Sequence, residues 1–173
     1  MKTGKLLVRI LLLTVLVYLA QLILITYIPN IIFQIAKFKS GKPLNTVIHA
    51  PKTDASLRKV VLPNPDFIYS ACFFDVRDND LLITGVFPDT NQYCSLAFYG
   101  NDVQPFYVIN NLQGFKANYK VRLSGVGRVN GCIKSASKQG VVLMRILATD
   151  SSQTGNALNI QSKFKVEIRS QNE

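Results

Sequence analysis

The chain has 173 residues, room for one domain of ordinary size plus an appendage, and 48% of it is hydrophobic. Its net charge of +10 is concentrated at one end: residues 1–62 carry nine Lys and Arg against one acid, Asp54, while the remainder is nearly balanced. A nucleic-acid binder sets its basic excess among aromatics on the folded domain, so no nucleic-acid partner is expected. Three scattered cysteines, Cys72, Cys94 and Cys132, make neither a disulfide scaffold nor a zinc site.

Residues 10–28 (ILLLTVLVYLAQLILITYI) hold no charge across 19 positions. As a helix they cover roughly 28 Å, the thickness of bilayer hydrocarbon. A core helix of a soluble protein needs a larger structure around it to bury an apolar surface on every side. A cleaved signal peptide has a shorter apolar stretch and a small-x-small site after it. Here, steps after Ala20 or Ala36 put Tyr18 or Gln34 at the third-last position. An uncleaved anchor over residues 1–38 is the favoured reading.

Basic residues flank it on both sides: Lys2, Lys5 and Arg9 before, Lys37, Lys39 and Lys42 after. They suit anionic headgroups, making the lipid bilayer the first expected partner. The short, acid-free N-terminal tail is expected in the cytoplasm and the rest of the chain outside. Pro29 should end or kink the helix. Residues 30–38 (NIIFQIAKF) then suit the membrane interface. Residues 39–62 read as a linker broken by Gly41, Pro43 and Pro51, with the only histidine, His49, inside it.

From residue 63 the pattern becomes β. Residues 66–76 (DFIYSACFFDV) and 81–87 (LLITGVF) flank a turn at 77–80, which predicts a hairpin. Residues 93–99 (YCSLAFY) alternate with the period of a half-buried strand. Residues 104–110, 121–126, 128–133 and 141–149 bring the total to about seven strands. Residues 156–165 fit a short helix or a last strand equally. Turn signals at short intervals predict a mainly β fold, an antiparallel β-sandwich or barrel-like domain over 63–173 with hairpin-like connections.

The glycines of Gly125-Val-Gly127-Arg-Val-Asn-Gly131 lie between strand-like segments, so they read as a hairpin and not as a phosphate loop, which opens a helix. Ser–His–acid or Cys–His catalysis needs a histidine in the domain, and His49 falls in the linker. Asp78 and Asp80 flank Asn79 in the predicted turn, where such residues are favoured by backbone chemistry. Asp66, Asp75, Asp89 and Asp102 remain as carboxylates for acid–base work. No metal and no cofactor is expected.

Three runs carry a resemblance: Asn64-Pro-Asp66-Phe-Ile-Tyr69-Ser70-Ala-Cys72-Phe-Phe-Asp75, then Tyr93-Cys-Ser95-Leu96-Ala-Phe-Tyr99, then Tyr107-Val-Ile-Asn110-Asn111. With Ser135, Gly140 and Arg145 later in the chain, they resemble the domain-of-unknown-function 1254 family, in its short, membrane-anchored bacterial form. The resemblance implies a β-rich fold at the bacterial inner membrane, with the β domain periplasmic. It also implies a partner, a second small anchored protein of the sister family, domain of unknown function 1214, which larger relatives fuse to this domain. It implies no established reaction. Where many relatives carry Asp-Arg after the asparagine, this chain has Asn111-Leu112. The candidate site or structural residues are Asp66, Tyr69, Ser70, Asp75, Tyr93 and Asn110. The expected function is a non-catalytic binding or assembly module; the alternative is a hydrolase-like enzyme or half-enzyme with Asp66, Tyr69 and Asp75 in a site completed by the partner.

Overall fold

The computed structural model of the chain describes residues 2–52, 64–88, 92–113, 118–125 and 131–170. The expected positions 53–62 of the linker, Asp89, and residues 126–130 of the glycine run lie outside the described residues.

Helix α1 (Lys2–Ser40) is one continuous helix of 39 residues, long and apolar enough to cross a membrane, and its most apolar stretch is wholly unburied. The hydroxyls of Thr14 and Thr26 donate to the carbonyls of Ile10 and Leu22, at 3.0 and 2.8 Å, so neither needs water. Pro29 lies inside the helix and does not end it. One turn later Phe33 is buried against the β domain, a tertiary contact that holds the following turns in place despite the lost backbone bond.

The β domain is mainly β, built from two sheets. One has the order β1-β2-β8-β4-β5 and the other β7-β6-β3-β9. The strands are β1 (Val47–His49), β2 (Phe67–Asp75), β3 (Asn79–Val86), β4 (Cys94–Gly100), β5 (Pro105–Asn110), β6 (Asn118–Ser124), β7 (Cys132–Lys134), β8 (Gln139–Leu147) and β9 (Lys165–Ser170). The inner faces supply the core, with Ile68, Phe74, Leu96, Phe98, Met144 and Ile146 from the five-stranded sheet and Leu81, Ile83 and Leu123 from the other. Helix α2 (Ser151–Ser162), then β9, resolve the ambiguity at residues 156–165, and α2 adds Ala157 and Ile160 to the core.

Several sequence expectations are corrected. β2 and β3 form no hairpin: they lie in different sheets, and β2 instead pairs with β8 from Phe67↔Leu147 to Asp75↔Gln139. Periodicity identifies a strand but not the layer it joins. The connection between them is buried at Val76, so the chain crosses between layers rather than turning along an edge. Asp80 belongs to β3 and is 1% exposed, not part of a solvated turn. The strands on either side of the glycine run, β6 and β7, are not the arms of a hairpin, because they pair parallel, from Arg122↔Cys132 to Ser124↔Lys134. Residues 47–49, read as linker, form the edge strand β1 against β2. β4 and β5 do form an antiparallel pair joined by a short turn, from Ser95↔Asn110 to Tyr99↔Pro105.

Gly140 sits opposite Gly100 in the β8–β4 pair. The Phe74 ring and the Tyr99 carbonyl occupy the space its Cβ would need, so only glycine lets the two strands and the core ring approach this closely.

Candidate functional site

Strand alternation fixes what faces outward from the five-stranded sheet. β2 and β8 show the same alternation, with Phe67, Tyr69 and Phe73 outward on one and Val141, Leu143, Arg145 and Leu147 on the other. α1 covers one end of this face, where Phe33 meets Phe73. At the other end the register aligns four residues from four strands: Tyr69 is opposite Arg145, Arg145 opposite Ser95, and Ser95 opposite Asn110. Directly opposed residues have Cβ atoms only about 5 Å apart, so this is one polar row across an apolar face. Beside it Phe67 packs edge-on against Tyr93, ring centroids 6.4 Å apart, and lies 6.2 Å from Tyr69.

The row is not fully satisfied. Ser95 is fully buried, and among the described residues neither its Oγ nor the buried Nε of Arg145 has a hydrogen-bond partner. The Tyr69 hydroxyl accepts from the Asn64 amide at 3.1 Å, and Asn110 Oδ1 accepts from the Leu112 amide at 3.0 Å.

The remaining candidates fall elsewhere. Asp66 is exposed, and its backbone does the work: its amide donates to Asn64 Oδ1 at 2.9 Å and its carbonyl accepts from Ala148 at 2.7 Å. Asp75 ends the same strand, nine residues from Asp66, or about 30 Å of extended chain. The two carboxylates therefore cannot share one site. Asp75 accepts from Arg77 Nη2 at 2.6 Å and from Gln139 Nε2 at 2.7 Å, and the Arg77 guanidinium holds its carboxyl down at about 2. Asn45 brackets its backbone, accepting from the Asp75 amide at 2.7 Å. This carboxylate anchors a strand end.

Ser70 points inward and is fully buried, with its Oγ 2.9 Å from His49 Nδ1. The only histidine thus lies in the β domain, on β1, contrary to the linker expectation. Burial lowers its pKa. No carboxylate contacts His49 among the described residues, so the pair lacks the acid that would orient the histidine in a catalytic set. Cys72 and Cys94 are buried thiols pushed up to about 12 by burial, too basic to act as nucleophiles. No cluster of metal-ligating side chains occurs among the described residues. Asn111, at the family's departure point, clamps the start of β4: Oδ1 accepts from the Cys94 amide and Nδ2 donates to the Gln92 carbonyl, both at 2.9 Å.

Of the candidates, the structure brings Tyr69, Tyr93 and Asn110 to this face, where Arg145 and Ser95, not among the candidates, join them. Their signal was a lone arginine inside the apolar run VVLMRIL and a serine inside YCSLAFY, each on the outward phase of its strand.

The family described as "Protein of unknown function (DUF1254)" matches residues 44–168, more than half the chain. The chain belongs to this family. Each of the four DUF1254-like segments of the sequence contributes one residue to the row: Tyr69, Ser95, Asn110 and Arg145. The match begins at residue 44 and so takes in β1. Among curated proteins none matches. Among solved structures, the VPA0106 protein from Vibrio parahaemolyticus superposes with a TM-score of 0.63 at 14% identity, over 83% of this chain and 34% of that one. An uncharacterized protein from Burkholderia cenocepacia gives a TM-score of 0.48 at 14% identity, over 75% of this chain and 36% of that one. The DUF1254 chain described here thus spans about a third of the length of the structures it resembles.

Proposed function

We propose that this protein is a single-pass, membrane-anchored binding module of the bacterial inner membrane. α1 spans the bilayer with the N-terminus in the cytoplasm, and the β domain in the periplasm presents the outer face of its five-stranded sheet to a partner. The observation that carries this reading is the outward polar row Tyr69–Arg145–Ser95–Asn110, set in an apolar face that α1 covers at one end only. Tyr and Arg in an apolar setting are the residues that dominate binding surfaces. The family resemblance makes the sister protein, of domain-of-unknown-function 1214 type, the partner. The solved relatives, about three times as long, leave room for such a fusion. An enzymatic reading finds less support, because Asp66 and Asp75 lie at opposite ends of β2 and no carboxylate contacts the Ser70–His49 pair among the described residues.

Two measurements test this. Reporter fusions at the C-terminus should report the periplasm, and a cytoplasmic signal would reverse the orientation. Membrane extraction in mild detergent with the sister protein co-expressed should recover both; a lone monomer would end the assembly reading.

A further inference from the structure

We propose that Arg145 and Ser95 form a carboxylate-binding site on the outer face of the five-stranded sheet, with Phe67, Tyr69 and Tyr93 as an aromatic flank for the body of the ligand. This rests on the reading of that face as a binding surface, but not on the sister protein being what binds there.

Among the described residues Arg145 makes no ion pair, and its buried Nε has no hydrogen-bond partner. Directly across the strand pair, Ser95 Oγ is buried without a partner too. Buried polar groups are nearly always satisfied, and a half-buried cation without a counter-charge is costlier still. Both can donate, and an acceptor carrying negative charge would satisfy the two together. A carboxylate supplies two acceptor oxygens, one for each.

The setting narrows the class. The row holds one cation, while Lys37, Arg77 and Lys138 gather at the opposite end of the sheet around Asp75, Val76 and Gln139, and Lys134 is on β7 of the other sheet. A phosphate or a lipid headgroup is better matched by several cations together. Phe67, Tyr69 and Tyr93 lie within 6.4 Å centroid steps of one another. A single guanidinium beside such rings suits an organic acid with an apolar body, carried either by a small molecule or by a docked protein's side chain.

The test is titration of the full-length chain in detergent micelles, following arginine Nε–H resonances by NMR at constant ionic strength. Benzoate should shift the Arg145 signal saturably, with half-saturation in the millimolar range; acetate should bind several-fold more weakly; the Arg122 signal should stay fixed. Ser95→Ala should weaken benzoate about tenfold, as loss of one hydrogen bond to a charged group does. Arg145→Gln, provided its melting temperature stays within a few degrees of the parent, should abolish the ring shifts of Tyr69 and Tyr93. The source is read from co-purification with the sister protein: loss in Arg145→Gln assigns the carboxylate to the partner, and retention assigns it to a small acid. An Arg145 signal unmoved by benzoate, an equal response to inorganic phosphate, or undiminished binding in Arg145→Gln overturns the proposal.

Discussion

Phe33 of the long helix meets Phe73 of the sheet edge to face, ring centroids 5.8 Å apart, and is itself only 3% exposed. Lys37, one turn on, lies 5.9 Å from the Phe33 ring and donates to Gln139 Oε1 at 3.3 Å. The two contacts make the end of the helix part of the domain rather than a loose leash. Phe33→Ala should cost about 1–3 kcal/mol, below the 3–5 of a ring enclosed on all sides. Amide exchange over residues 34–40 should quicken at least about tenfold as that turn opens independently. Unchanged exchange would mean that the ring contact holds nothing.

A second linkage stabilises the opposite sheet. Asp80 accepts from Arg122 Nε at 2.8 Å, yet its other oxygen, Oδ1, is buried without a partner. A half-satisfied buried pair contributes little net stability but is costly to break on one side. Asp80→Leu should therefore lower the urea midpoint by the equivalent of about 3 kcal/mol, and adding Arg122→Leu should recover much of that loss. Additive losses in the double variant would show the two side chains to be uncoupled.

Asp75 gives the domain an acid-sensitive strand end. The Arg77 side chain, then Gln139, favour its charged form, and its folded value of about 2 lies below that of a free aspartate. Stability from this group is complete above pH about 4, the unfolded value, and fades as the pH falls through the folded one. Asp75→Asn should be less stable than the parent at pH 7 and nearly equal to it at pH 2. A deficit that persists at pH 2 would trace to packing rather than charge.

The cysteines predict a labelling order. Cys72 and Cys94 are buried on β2 and β4, the two strands flanking β8. Two strand spacings alone put about 9–10 Å between them, beyond the roughly 7 Å Cα limit for a disulfide, and their partners on β8, Val142 and Ile146, are offset along the strand as well. Iodoacetamide should modify half-buried Cys132 first in the native protein, and all three only in denaturant. Early modification of Cys72 or Cys94 would contradict the packing.

Much of the architecture was readable because two signals are strong. Nineteen uncharged residues specify the exposed helix, and the alternation of YCSLAFY and the apolar run VVLMRIL mark β4 and β8. What could not be read is which strand lies beside which, since β2 finds its partner some 70 residues away at β8. The polar row was hidden for the same reason: only the register brings Tyr69, Arg145, Ser95 and Asn110 abreast. α2 was ambiguous because SSQTGNALNIQS is polar and buries only Ala157, Ile160 and Gln161. Its start did carry a signal: Asp150 accepts from the Gln153 amide at 2.8 Å, and Gln153 Oε1 accepts from the Thr149 amide at 3.1 Å, close to a capping box. β1, three residues long, is too short for any periodicity to register.

The interleaved strand order dictates when this protein can fold. β8 sits between β2 and β4, and β3 lies between β6 and the final strand, so the centre of each sheet waits for residues made late in synthesis. A nascent chain halted before residue 139 would hold β2 and β4 apart with no strand to bridge them. Closing such distant pairings is slow and leaves sticky edges uncovered meanwhile. Growth from the ribosome therefore stores up incomplete layers, and assembly comes near the end as a single late event.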